Sequence, residues 1–324
     1  DGDAGGGLMR ILFYTGKGGV GKSTMAASTA WQLSRKSRVL IVSLDPAHNL
    51  GDIFCVSLNG REKRMNENLL LREVDLHRLS RDYLEREIGV LTRTYSYLQT
   101  LNLDRYFSVL KYSPGIEEYA LLTSIEETIR QDGADFDTII FDTPPTGLTL
   151  RFLALPQITI TWIDRLAQIR RQILDKRHTI QKIRGAATEE EKQREIRLAY
   201  DEKDDAVLQR LTALKANYES LTEILQGPGC GVILVFNPDM LSLRESERLV
   251  EGLRDIGLPL RLLIQNKVTA ENRAVADQVA EELRKMVRDV PLLRVALSTE
   301  LACGLDSKLY EIPEDLVKPL DWSR

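Results

Sequence analysis

Between residues 16 and 23 the chain reads Gly-Lys-Gly-Gly-Val-Gly-Lys-Ser, which fits the spacing G-x-x-x-x-G-K-[ST] directly after an apolar run and before a helical pattern. A polyphosphate carries several negative charges, so it needs converging backbone N–H groups with a helix N-terminus behind them. Gly16, Gly18, Gly19 and Gly21 can take the dihedrals that turn consecutive amides inward and let the backbone come close. Val20 and Thr24 complete the phosphate-facing segment. Lys22 is expected to reach the β and γ phosphates, and the Ser23 hydroxyl to join a magnesium shell. The chemistry this spacing implies is binding of ATP with Mg2+ and hydrolysis of its terminal phosphate.

Several other residues extend that chemistry. Lys17 is a second lysine within the loop, either a solvated surface group or a cation that crosses to a partner's nucleotide, as an arginine finger does. Asp142 ends an apolar strand and precedes Thr143-Pro144-Pro145-Thr146-Gly147, a position from which a carboxylate holds magnesium through its waters. Asp45 and Asp52 bracket the loop that follows another strand. One can sit near magnesium while the other orients the attacking water; each acid alone also reads as a helix cap or a solvated turn, a reading that weakens when all three follow strands near one phosphate loop. His48, between them, reads as a positioning hydrogen-bond donor rather than a base. Asn266 follows a strand and precedes Lys267, so its amide is either an adenine-edge partner or a turn asparagine.

These residues need a scaffold that gathers strand ends. Short aliphatic runs at Arg10–Thr15, Arg38–Leu44, Thr138–Asp142, Gly231–Phe236 and Leu260–Gln265 read as buried strands, separated by helical stretches. That rhythm predicts an α/β fold with a mostly parallel sheet covered by helices on both faces, its chemistry at the strands' carboxyl ends. Lys22 to about Arg35 is the helix of a right-handed crossover. Residues 69–131 and 158–226 are helical in pattern and break the alternation, the second bounded by Pro156 and by Gly227-Pro228-Gly229. They are expected to form an inserted α-helical subdomain on a single domain spanning 9–324. Val207, Leu211, Leu214, Tyr218, Leu221 and Leu225 recur at steps of four and three, and Ile158, Trp162, Leu166, Ile169 and Ile173 are the expected facing stripe of a helix hairpin. The alternative for that stripe is a groove for an apolar client.

The bulk numbers narrow the classes. With 44 basic and 48 acidic residues, a net charge of −4 and a pI near 5.7, there is no bulk electrostatic pull toward nucleic acid. Cys55, Cys230 and Cys303 form no CxxC pair, and their spacing reads as neither a zinc site nor a disulfide framework, which points to a reducing cytoplasm. No run approaches the roughly 20 apolar residues that span a bilayer, so a membrane connection is expected through a partner rather than by insertion. Residues 1–8 read as a remnant of cloning, with Met9 as the native start.

Taken together, the deviant loop with Lys17, the run Asp45–Phe54, the run DTPPTGLTLRFLALP from Asp142 to Pro156, the turn at Pro114-Gly115 and Asn266 resemble the ArsA/Get ATPases, the arsenite-pump ATPases and tail-anchored-protein targeting factors. The resemblance covers nearly the whole chain from Met9. It implies a P-loop NTPase homodimer that closes around two ATP molecules, with Asp45–Phe54 as switch I, Asp142–Pro156 as switch II, Asp52 at the water-activating position and Asn266 recognising adenine. It also implies coupling of closure to a hydrophobic client or a membrane-bound pump. Positioning ATPases of the ParA/MinD kind share the deviant loop but lack the long insertion. Departures from the family pattern are Leu148 where histidine is usual, the missing zinc-binding CxxC, the missing cysteine cluster of the arsenite pumps, and single-domain length.

Overall fold

The computed structural model describes residues 9–47, 49–58, 62–94, 113–184 and 202–297. In chain order the elements are β1 (Arg10–Thr15), α1 (Lys22–Leu33), β2 (Val39–Ser43), α2 (Asn49–Phe54), β3 (Glu62–Asn66), β4 (Leu69–Glu73), α3 (Leu76–Thr94) and α4 (Ile116–Asp132). There follow β5 (Thr138–Asp142), α5 (Thr146–Arg184), a 3-10 turn at Glu202–Asp204, α6 (Ala206–Gln226), β6 (Cys230–Phe236), α7 (Met240–Asp255), β7 (Leu260–Val268), α8 (Arg273–Met286) and β8 (Leu292–Ala296). The described residues divide into two compact units, one within Asp1–Leu153 and Leu225–Arg324 and one within Ala154–Ile224.

The first unit is built on an 8-stranded sheet in the order β3-β4-β2-β5-β1-β6-β7-β8. Neighbours run parallel except β3 against β4. This is the mostly parallel α/β architecture expected of a P-loop NTPase. β2, β5 and β6 are buried along their whole length and β1 from Ile11 onward, as strands covered on both faces must be. Leu12 and Tyr14 pack with Met25, Ala26, Ala27 and Ala30 of α1. Phe13 and Phe141, adjacent in register, stack with ring centroids 5.1 Å apart. The Tyr14 hydroxyl donates to Thr29 Oγ1 at 2.6 Å, so this buried polar atom is satisfied within the core.

The sequence reading departs from the structure in several places, one of them Cys55, which is disulfide-bonded although the cysteine spacing pointed to no disulfide framework. Leu69–Glu73, taken above as the start of a helical stretch, is β4; its run Leu-Leu-Leu alternates in burial along the strand, a pattern too short to separate from a helix turn. β3 and β8 were not foreseen because both are edge strands with charged or half-exposed side chains. Pro156, read above as bounding the second helical stretch, does not interrupt the helix: α5 runs from Thr146 through it, although the second compact unit begins close by at Ala154. The proline removes one N–H from the ladder without ending a helix of this length.

In the second unit, α5 and α6 are tied by Lys215 Nζ to Asp164 Oδ1 at 2.6 Å and by Arg170 Nη2 to Asp205 Oδ2 at 2.7 Å. The facing stripe expected from Ile158, Trp162, Leu166, Ile169 and Ile173 does not face inward. All five are exposed; past Pro156 the buried side chains among the described residues of α5 are Ile163 and Leu174 instead. The charged link Thr188–Asp205 falls mostly outside the described residues, as do His48, Cys303 and the tail Leu309–Arg324.

Candidate nucleotide site

β1 delivers the chain to the sheet's carboxyl edge between β5 and β6, and the loop begins there. Gly16 is obligatory because a Cβ would drive into the Val235 carbonyl oxygen of β6. Gly21, in the left-handed region at φ 94, starts α1, and a Cβ there would strike the Asn266 amide nitrogen. Its carbonyl accepts the Met25 N–H at 3.0 Å, so the helix leaves its first amides pointing into the loop. Val20 is buried, Gly18 and Gly19 are exposed, Lys17 is half-buried, and Thr24 is half-buried in the first turn.

Charge gathers at the strand ends. Lys22, 5% exposed, holds Nζ 3.8 Å from Asp45 Oδ2, while Asp45 Oδ1 accepts the Ala47 N–H at 3.1 Å. Asp142 ends β5, level with Tyr14 of β1 and Ser43 of β2. It is fully buried, and neither carboxylate oxygen has a hydrogen-bond partner in good geometry. Burial pushes its pKa up to about 7, with the nearby Ser23 hydroxyl and Lys22 ammonium pulling the other way and Asp45 adding to the rise. A desolvated carboxylate without a well-aligned hydrogen bond is stabilised by further positive charge beside it. Among the described residues no three His, Cys, Asp or Glu side chains cluster as a metal cage. The set Ser23, Asp45 and Asp142 therefore fits magnesium, which keeps waters and phosphate oxygens in its shell, and does not fit zinc.

The loop after Asp142 is locked. The Thr143 hydroxyl donates to the Tyr14 carbonyl at 2.8 Å, and Thr149 Oγ1 donates to the Pro144 carbonyl at 2.7 Å. Leu148, half-buried, sits between these bonds in the first turn of α5. Asp52 lies in the first turn of α2 with its side chain exposed. Asn266 is engaged with protein: Nδ2 donates to the Val20 carbonyl at 2.8 Å and Oδ1 accepts the Lys267 N–H at 2.8 Å. The structure thus brings Lys22, Ser23, Asp45, Asp142 and Asn266 to the loop, and Asn266 meets its backbone.

Two residues were missed in the sequence. Lys267, at φ 58, donates from Nζ to the Gly19 carbonyl at 2.6 Å, a second clamp on the loop from β7. Glu73, buried at the end of β4, accepts the Gly51 N–H at 2.9 Å. The available signal for Glu73 was an acid closing an apolar run, as at Asp142.

Comparison with known proteins places the chain in a family. A family model described as an anion-transporting ATPase, ArsA ATPase, matches residues 9–316. The chain is 27% identical over 318 residues to a protein of Aquifex aeolicus named arsenical pump-driving ATPase 2, covering 95% of this chain and 99% of that one. It is 29% identical over 325 residues to the arsenical pump-driving ATPase 1 of the same organism, covering 92% and 76%. It is 28% identical over 328 residues to ATPase GET3 of Podospora anserina, covering 96% and 91%. With its P-loop, its parallel sheet and a family match across almost the whole chain, this protein belongs to the ArsA family of ATPases and binds and hydrolyses ATP.

Proposed function

We propose that this ATPase is a magnesium-dependent homodimeric switch of the cytoplasm whose closure around ATP governs binding of an apolar, membrane-related client. The observation that carries the client half is the outer face of α5. Ile158, Trp162, Leu166, Ile169, Ile173 and Ile180 are 38–63% exposed and recur at helical steps. Single exposed apolar side chains are ordinary, but six on one face mark a surface that works by being covered. α5 begins four residues after Asp142 in the chain, so nucleotide-dependent change at that loop has a direct covalent route into the helix. Among the described residues no helix is long and apolar enough to cross a membrane.

In this reading the loop amides and Lys22 hold the phosphates, Ser23 coordinates Mg2+, and Asp45 and Asp142 hold its waters. The ion, when bound, neutralises charge on the β and γ oxygens. Asp52 orients the attacking water, Lys17 reaches the nucleotide of the partner subunit, and Asn266 exchanges its Val20 contact for the adenine edge.

The test is capture of a synthetic transmembrane peptide with and without Mg-ATP, alongside steady-state turnover. Wild-type protein is expected to hold peptide in one nucleotide state only, and a Trp162→Ser, Leu166→Ser double variant to lose capture while keeping ATPase activity. Capture equal in every nucleotide state, or unaffected by the double variant, would remove the client role. A pump-driving role is the second reading, favoured by the names of the Aquifex relatives. Stimulation of turnover by arsenite without peptide capture would select it. Cys230 is a poor metalloid ligand, because burial pushes its thiol up to about 12 and keeps it protonated.

A further inference from the structure

Glu73 is a buried carboxylate, 6% exposed, in a place the phosphate chemistry does not call for. It ends β4, level with Ser43, the last residue of β2. β2 leads into Asp45 and then α2, so Glu73 stands on the strand that flanks this loop at the same sheet edge. Its Oε1 accepts the Gly51 N–H at 2.9 Å. That amide lies in the first turn of α2, where N–H groups have no acceptor within the helix. A carboxylate there also meets the positive end of the helix dipole.

The other side of Gly51 is held as firmly. Its carbonyl accepts the Val56 N–H at 2.9 Å, and a Cβ on Gly51 would come within 2.8 Å of the Val56 carbonyl and 3.4 Å of Glu73 Oε1. The residue before Asp52 is therefore pinned at both N–H and C=O and has room for glycine alone. The next peptide begins at the Asp52 nitrogen. A short helix of six residues has little stability of its own, so its placement depends on such external bonds.

We propose that Glu73 is a positioning residue for ATP hydrolysis: by capping α2 at Gly51 from a neighbouring strand, it fixes where Asp52 stands relative to the terminal phosphate. This rests on the reading of Asp52 as the water-orienting group. Misplacement of a catalytic group by about 1 Å lowers turnover by up to about 100-fold without touching ground-state binding. The acceptor oxygen, not the charge, is what the geometry uses.

The experiment measures kcat, KM, ATP affinity and thermal midpoint for Glu73→Gln, Glu73→Leu, Asp52→Asn and the Glu73→Leu, Asp52→Asn pair in the full chain. Glu73→Gln keeps an acceptor and is expected to stay within about threefold of wild type, while Glu73→Leu loses roughly 10-fold or more in kcat with ATP affinity unchanged. The pair should be no slower than Asp52→Asn alone, because both changes act on one step. If Glu73→Leu does not fold, Glu73→Asp, one methylene short of the amide, takes its place with the same expectation. Wild-type kcat in Glu73→Leu, a parallel loss of ATP affinity, or failure of Gln to rescue overturns the proposal. Should Asp52→Asn turn over normally, the Asp52 reading fails; the proposal as worded fails with it, and a surviving kcat defect in Glu73→Leu with Gln rescue then marks an anchor acting through another group.

Discussion

Asp142 shows what a single buried acid reveals about a ligand. Removing a carboxylate from water without a hydrogen-bond partner destabilises a fold, and its raised pKa near 7 records that penalty. The residue therefore serves the bound state at the expense of the empty one. Replacing it by Asn is expected to leave nucleotide-free protein as stable as wild type or more so, by about 1–2 kcal/mol, since a neutral amide is cheaper to bury than a charge. Turnover with magnesium should fall by about 100-fold or more in the same variant. Scanning calorimetry without nucleotide, paired with a phosphate-release assay, checks both halves; a thermal midpoint several degrees below wild type would mean that Asp142 serves the fold. Gly21 makes the complementary point, since what matters there is the absence of a side chain beside Asn266. Both residues were legible in the sequence, one from motif spacing and one from its place at a strand end. Glu73 and Lys267 were not, because their partners are backbone atoms at Gly51 and Gly19, and no residue type marks a backbone carbonyl or amide as a partner.

Elements were legible in proportion to their burial. β1, β2, β5, β6 and β7 stand out as aliphatic runs because both faces are covered. β3 is written Glu-Lys-Arg-Met-Asn, and charge on an edge strand guards against pairing with other chains while hiding the strand from a hydrophobicity pattern. α5 misleads in another way: past Pro156 its most apolar stripe points out, and the buried residues of that part, Ile163 and Leu174, are fewer. A stripe in a sequence tells which side chains share a face, and nothing about what lies opposite. Holding α6 in place falls instead to Asp205, which precedes the helix, accepts the Leu208 N–H at 2.8 Å and pairs with Arg170. The Arg170 hydrogen bond, helped by the Leu208 amide, holds the Asp205 carboxyl below its ordinary value despite the opposing effect of burial. A lowered folded-state pKa gives stability that is full above the unfolded value and is lost as pH falls through the folded one. Asp205→Ala should thus weaken hydrogen-exchange protection at the start of α6 by about 1–3 kcal/mol at pH 7. Below about pH 4 the wild type should lose that advantage and approach the variant. Equal protection at pH 7 would show that the ion pair contributes nothing.

For the molecule as a whole, the strand order matters more than any one contact. β5 lies between β1 and β2, in register with both, so the strands that carry the phosphate loop and Asp45 do not touch until residues 138–142 arrive between them. A chain stopped at residue 137 contains every residue of the loop and is expected to give no heat with Mg-ATP in calorimetry; measurable binding would show β5 to be dispensable. Contacts of such wide sequence separation form late, because the loop-closure entropy must be overcome first. During synthesis, then, nucleotide cannot rescue an early intermediate. On that expectation, ATP lends the growing chain no stability for more than a hundred residues after the loop has been made, until β5 joins β1 to β2.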